Sequence, residues 1–141
     1  MKYMSKEHLE AIKEKANADA TYLKKTKGLS FKFQNLVTDC PGGVDKVVTW
    51  ELERGKILSV NLEEKPAPSD WRKMPFDGTK YFMRTVGDWP TYVKLNKKEI
   101  TPIQGMTSGG FRLDGDLMKV MAKLAEFTIL LDLESTIPCE Y

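Results

Sequence analysis

A chain of 141 residues with 41% hydrophobic and 30% charged residues fits a single globular domain spanning 1–141. Its net charge of +2 is too small to argue for a nucleic-acid partner. No run approaches the roughly 18 apolar residues of a membrane span, and no apolar leader opens the chain.

In chain order, Ser5 to about Lys25 reads as a helix with Leu9, Ile12, Ala16, Ala20 and Leu23 as its apolar stripe. Ser5 is the expected N-cap, and Gly28 can end the segment. The lysines at the end of this helix, Lys24, Lys25 and Lys27, suit its negative pole; transient contact with an anionic membrane surface is the weaker reading. His8, the only histidine, is expected on the surface, because no second histidine and no nearby cysteine accompany it. From Leu29 to Val37, Leu29, Phe31 and Phe33 alternate with polar residues and predict a strand. Asp39 to Gly43 is a turn cluster, and no Gly-Lys-Ser/Thr follows to make it a phosphate cradle. Val48, Trp50 and Leu52, then Leu58, Val60 and Leu62, alternate about Arg54-Gly55 and predict an antiparallel hairpin with one apolar face.

Glu63 to Gly78 is a proline-rich connection whose Trp71, Met74 and Phe76 are expected to pack back onto the domain. Tyr81 to Val86 reads as a strand. Asp88 is a candidate cap for a helix through Trp89, Tyr92, Val93 and Leu95, and Thr101 with Pro102 opens the next. Gly110 to Asp114 is a short strand with Phe111 and Leu113 on one face, Gly115 turns, and Asp116 caps a long apolar helix to Leu133. Leu117, Val120, Met121, Leu124, Phe127 and Leu131 mark one face of that helix, and Met118, Ala122, Ala125, Ile129 and Leu130 extend it. Only Lys119, Lys123 and Glu126 give a polar stripe. Such a helix needs cover on more than one side, from a packed core, a subunit interface or an apolar ligand.

Thr101-Pro102, Met106, the run Gly110-Phe111-Arg112-Leu113-Asp114-Gly115-Asp116, then Val120-Met121 and Leu124, resemble the sterol carrier protein 2 family, in its stand-alone prokaryotic form. Trp89 to Leu95 followed by Glu99 to Pro102 resembles the helix pair before that strand, with Lys98 where the family often has glycine. The likeness covers the C-terminal third; elsewhere only the order of elements agrees. It implies an α+β fold, a mostly antiparallel five-stranded sheet with helices packed on one face and an apolar tunnel between the layers. It also implies a lipid-binding carrier of a fatty acid, fatty acyl-CoA, sterol or isoprenoid, with no catalysis and no cofactor.

The expected tunnel lining is Trp50, Phe82, Trp89, Tyr92, Val93, Ile103, Met106, Phe111, Leu113, Leu117, Val120, Met121, Leu124 and Phe127. Only Tyr92 and the indole N–H groups could hydrogen-bond inside it. A charged ligand head would then stay at the mouth, near cations such as Arg72 and Arg84. One histidine and two distant cysteines, Cys40 and Cys139, supply neither a metal set nor a catalytic triad. The cysteines could pair, but a chain of this size does not need the bridge, and free thiols in a reducing, cytoplasmic setting are expected. The alternative to a carrier is a ligand-free interaction or homodimerisation module built on the apolar C-terminal helix.

Overall fold

The computed structural model describes all 141 residues. Two helices come first, α1 (Lys6–Ala18) and α2 (Ala20–Lys25), then strands β1 (Phe31–Cys40), β2 (Val44–Glu53) and β3 (Lys56–Pro66). After a 3-10 turn (Asp70–Lys73) come β4 (Met83–Asp88), α3 (Trp89–Asn96), α4 (Pro102–Ser108), β5 (Phe111–Gly115), α5 (Leu117–Ala122) and α6 (Leu124–Ser135). The five strands form one sheet in the order β3-β2-β1-β4-β5, antiparallel except for the parallel β1–β4 pair. The fold is α+β, as the order of elements predicts. No helix is long and apolar enough to cross a membrane.

Period-2 alternation gives the sheet two different faces. On the front, Phe33 pairs with Trp50 and Met83, and Asn35 with Val48 and Thr85. Phe111 and Leu113 extend that face onto β5 through Gly87 and Thr85. Most of these front-face side chains join Leu9, Ile12, Ala16, Leu130 and Leu133 of the helices in one apolar core. On β3 the buried residue is Ile57, and Leu58 is exposed, contrary to the alternation expected there. An irregularity opposite Glu51 and Leu52 shifts the register by one residue and turns Ile57 inward.

Helix starts follow the expected caps. The side chains of Ser5, Asp88 and Asp116 accept from N–H groups of their first turns, and Thr101 forms a capping box with Gln104. Two expected long helices are broken. Asp19 leaves helical geometry and caps α2 by accepting from Tyr22 N–H, so the stretch from Ser5 to Lys25 becomes two helices. The C-terminal helix breaks at Lys123, and the carboxylate of Glu126 just beyond accepts from Gly28 N–H at 2.7 Å.

The back of the sheet carries a smaller cluster of Leu36, Val47 and Trp71, with the 3-10 turn as its cover. The expectation that Trp71 packs back onto the domain holds, whereas Met74 is exposed. Beside that cluster, the fully buried Asp45 carboxylate accepts from Arg72 Nε and a second guanidinium nitrogen, both at 2.8 Å. It also accepts from Ser69 N–H, Ser69 Oγ and Asp39 N–H. Arg72 and these hydrogen bonds hold the Asp45 carboxyl well below the usual carboxylate range. The stability it supplies is present above its unfolded value of 3.8 and is lost as pH falls below it. Arg72→Ala should cost about 2–3 kcal/mol at pH 7, less than for a fully buried pair because the guanidinium is partly exposed. Urea titrations at pH 7 and pH 3 check this: the variant's deficit should shrink at the lower pH.

Candidate functional site

Between the helix layer and the front of the sheet lies a cavity of about 120 Å³. Its floor is Phe33, Asn35, Val48, Trp50, Thr85 and Phe111. Its roof comes from α6 (Leu124, Phe127, Thr128, Leu130, Leu131 and Glu134), and its walls from α1 (His8, Leu9, Ile12), α3 (Tyr92, Leu95) and Pro102. Tyr3 and Met4 close the N-terminal side. That segment is tied down by Tyr3 N–H donating to Glu140 O, Glu140 N–H to Met1 O, and Tyr3 OH to Tyr92 O.

Five of the fourteen residues expected to line a tunnel line this cavity: Trp50, Tyr92, Phe111, Leu124 and Phe127. The other nine do not. Phe82 stacks on Phe31 at 4.0 Å between ring centroids, beside Phe127. Trp89 packs on Tyr3 beneath Lys46. Val93, Met106 and Leu113 pack half-buried against the core, and Val120 lies within it. Ile103, Leu117 and Met121 are 48%, 53% and 41% exposed. The expectation that Leu117 and Met121 face the sheet is therefore corrected. It assumed one continuous helix, and the break at Lys123 separates their face from that of Phe127. Arg72 and Arg84 are corrected too. Arg72 pairs with Asp39 and Asp45, and Arg84 with Asp114, on the sheet face opposite the cavity.

Apart from Tyr3 and Thr128, whose hydroxyls donate to Tyr92 O and Leu124 O, the cavity's polar groups divide into two sets. On the floor, Trp50 Nε1–H donates to Asn35 Oδ1 at 2.8 Å, and Asn35 Nδ2 donates to Thr85 Oγ1 at 2.6 Å. Thr85 Oγ1 and Tyr92 OH share a bond of 2.6 Å. These groups satisfy one another. Burial pushes the Tyr92 phenol far above its ordinary value, so it stays neutral.

The second set is His8 and Glu134, which sequence reasoning missed. His8 is 1% exposed, not a surface residue. It stands four residues before Ile12, on the buried stripe of α1, and that spacing was the available signal. Its Nδ1 accepts from Met4 N–H at 3.2 Å, so the neutral ring carries its proton on Nε2, and Nε2 has no partner. Burial first, and the N-terminal ammonium second, lower its pKa. Glu134 follows Phe127 and Leu131 at helical spacing, which puts it on the cavity side of α6. It lies in the last turn of that helix, where the dipole also disfavours a carboxylate. The residue as a whole is half-buried, but its carboxyl is desolvated, and this pushes it up to about 8.

Solved structures of other proteins match this chain along most of its length. A conserved hypothetical protein of Thermus thermophilus, described as possibly a sterol carrier protein, is 14% identical with a TM-score of 0.78, over 99% of this chain and 92% of that one. A crystal structure of sterol carrier protein 2 is also 14% identical, with a TM-score of 0.72 over 95% and 98% of the chains. This chain has the sterol carrier protein 2 fold. The palmitated sterol carrier protein 2-like 2 of Aedes aegypti is 19% identical, with a TM-score of 0.53 over 88% and 94%. No protein-family model and no curated protein sequence matches the chain.

The Glu134 proton has a measurable consequence. Between about pH 4.5 and 8 the folded chain keeps a proton that the unfolded chain has lost, so stability falls as pH rises. Glu134 itself contributes a slope of up to about 1.4 kcal/mol per pH unit in that window, and below pH 6.5 the lowered His8 acts in the opposite sense. Glu134→Gln should flatten it, as read by urea unfolding at several pH values.

Proposed function

We propose that the protein is a non-enzymatic carrier that takes an apolar small molecule, such as a fatty acid, fatty acyl-CoA, sterol or isoprenoid lipid, into the space between α6 and the sheet. The observation that carries this reading is the cavity itself, apolar over most of its wall and set between two layers that close-packed interiors normally bring into full contact. The match to a palmitated relative of the same fold supports the ligand class.

At about 120 Å³ the cavity is below the roughly 300–1,000 Å³ of a site for a drug-sized ligand. A long chain therefore enters only if part of the cover moves. The short helix α5, with Leu117, Met118 and Met121 exposed, and the break at Lys123 make the start of α6 the natural place for that motion. Each methylene taken from water contributes about 0.8 kcal/mol, so affinity rests on chain length more than on a charge. The two arginines expected at the mouth are paired on the other face, and the surface lysines take no part in this reading.

Organic extraction of the purified protein followed by mass spectrometry should recover a co-purifying lipid. Calorimetry across a chain-length series should show affinity rising with each added pair of methylenes. Leu131→Trp, which fills the space from the roof, should reduce uptake of a fluorescent fatty acid while costing at most about 1–3 kcal/mol of stability. A flat response to chain length, or uptake unchanged in a folded Leu131→Trp protein, contradicts the carrier reading.

A further inference from the structure

Two polar side chains of the cavity wall, His8 and Glu134, deepen the carrier reading, on which this inference rests. His8 is only 1% exposed, and its Nε2–H meets no acceptor. The Glu134 carboxyl makes no hydrogen bond or ion pair within the protein and lies one helical turn beyond Leu131 on the cavity side of α6. A buried donor without an acceptor lowers stability, and a half-buried carboxyl facing an apolar cavity without a partner also carries a cost. Packing explains neither, since Phe or Leu would fill the same space without that cost. Glu134 also stands ten residues beyond Leu124, about 15 Å along the helix axis, at the opposite end of the roof.

We propose that this end of the cavity receives the uncharged hydroxyl head of an amphiphile, which accepts from His8 Nε2–H and donates to the Glu134 carboxyl, while its hydrocarbon body lies along α6 toward Phe127 and Leu124. A hydroxyl offers one donor and spare acceptor capacity in a single group. A carboxylate head would place a second acid against Glu134, and one of the two would have to take up a proton. An ammonium head could pair with Glu134, but it has no acceptor for His8. A bare hydrocarbon leaves both groups unmet.

The test is displacement of a cavity-bound environment-sensitive dye, anilinonaphthalene sulfonate, by dodecanol, dodecanoate and dodecylamine at pH 7. Dodecanol should displace it at about tenfold lower concentration than either charged analogue, the difference that one satisfied buried hydrogen bond makes. His8→Phe and Glu134→Leu should each bring the three to within about threefold of one another. Because His8 is the only histidine, its ring ¹⁵N resonances are unambiguous, and dodecanol should shift the Nε2 signal of the unmutated protein while leaving Nδ1 bonded. That measurement holds even if a variant fails to fold. Equal displacement by all three compounds, a preference for dodecanoate or dodecylamine, or an unmoved Nε2 signal under saturating dodecanol overturns this inference and leaves the carrier reading standing. Displacement by none of them overturns both.

Discussion

The apolar front of the sheet must be kept from water, and the arrangement of the helices follows from that constraint. Phe31, Phe33, Trp50, Leu52, Met83 and Phe111 all project from one side of four adjacent strands. No single helix spans such a surface, so segments from both ends of the chain cover it, α1 from the start and α6 from the end. The cover is not flush. Over Phe33, Trp50 and Thr85, where α1, α3 and α6 converge, the two layers leave the cavity. A fold that closes a wide aromatic face with short, broken helices can thus enclose space without a dedicated lining sequence.

Polar groups are treated differently on the two faces. On the back, the buried charge of Asp45 is fully met by Arg72, Ser69 and the Asp39 backbone, and this pins the 3-10 turn over Leu36 and Val47. On the floor of the cavity, Trp50, Asn35, Thr85 and Tyr92 form a closed chain of hydrogen bonds. His8 and Glu134 stand apart from both, lining the same space with no protein partner for Nε2 or the carboxyl. Asp45 shows the chain pairing a charge that it buries, and in the proposed reading a ligand's head meets the two cavity groups that the protein leaves unpaired.

Local chemistry made much of the fold legible. Ser5, Asp88, Thr101 and Asp116 announce their helices because a cap is decided within four residues. The β2–β3 hairpin follows from alternation about Arg54-Gly55. The helix breaks were not legible. Asp19 inside a good helix former reads as an interior residue until its side chain is seen capping Tyr22, and the turn at Lys123 is tied through Glu126 to Gly28, near the other end of the sequence. The Lys123 break moved Leu117 and Met121 out of the predicted site. His8 and Glu134 were missed because residue type argued against burial, although both fall on apolar stripes, His8 before Ile12 and Glu134 after Leu131. A polar residue on the inward stripe of a helix is the signal that would have found them.

The central claim is that the space between α6 and the sheet, rather than the exposed surface of α5, takes the apolar ligand. Intermolecular nuclear Overhauser effects between unlabelled dodecanol and ¹³C-labelled methyl groups test it most directly. The account predicts contacts to the methyls of Leu9, Ile12, Val48 and Leu131, which line the cavity from three sides. Contacts confined to Leu117, Met118 and Met121, the exposed apolar side chains of α5, would contradict it.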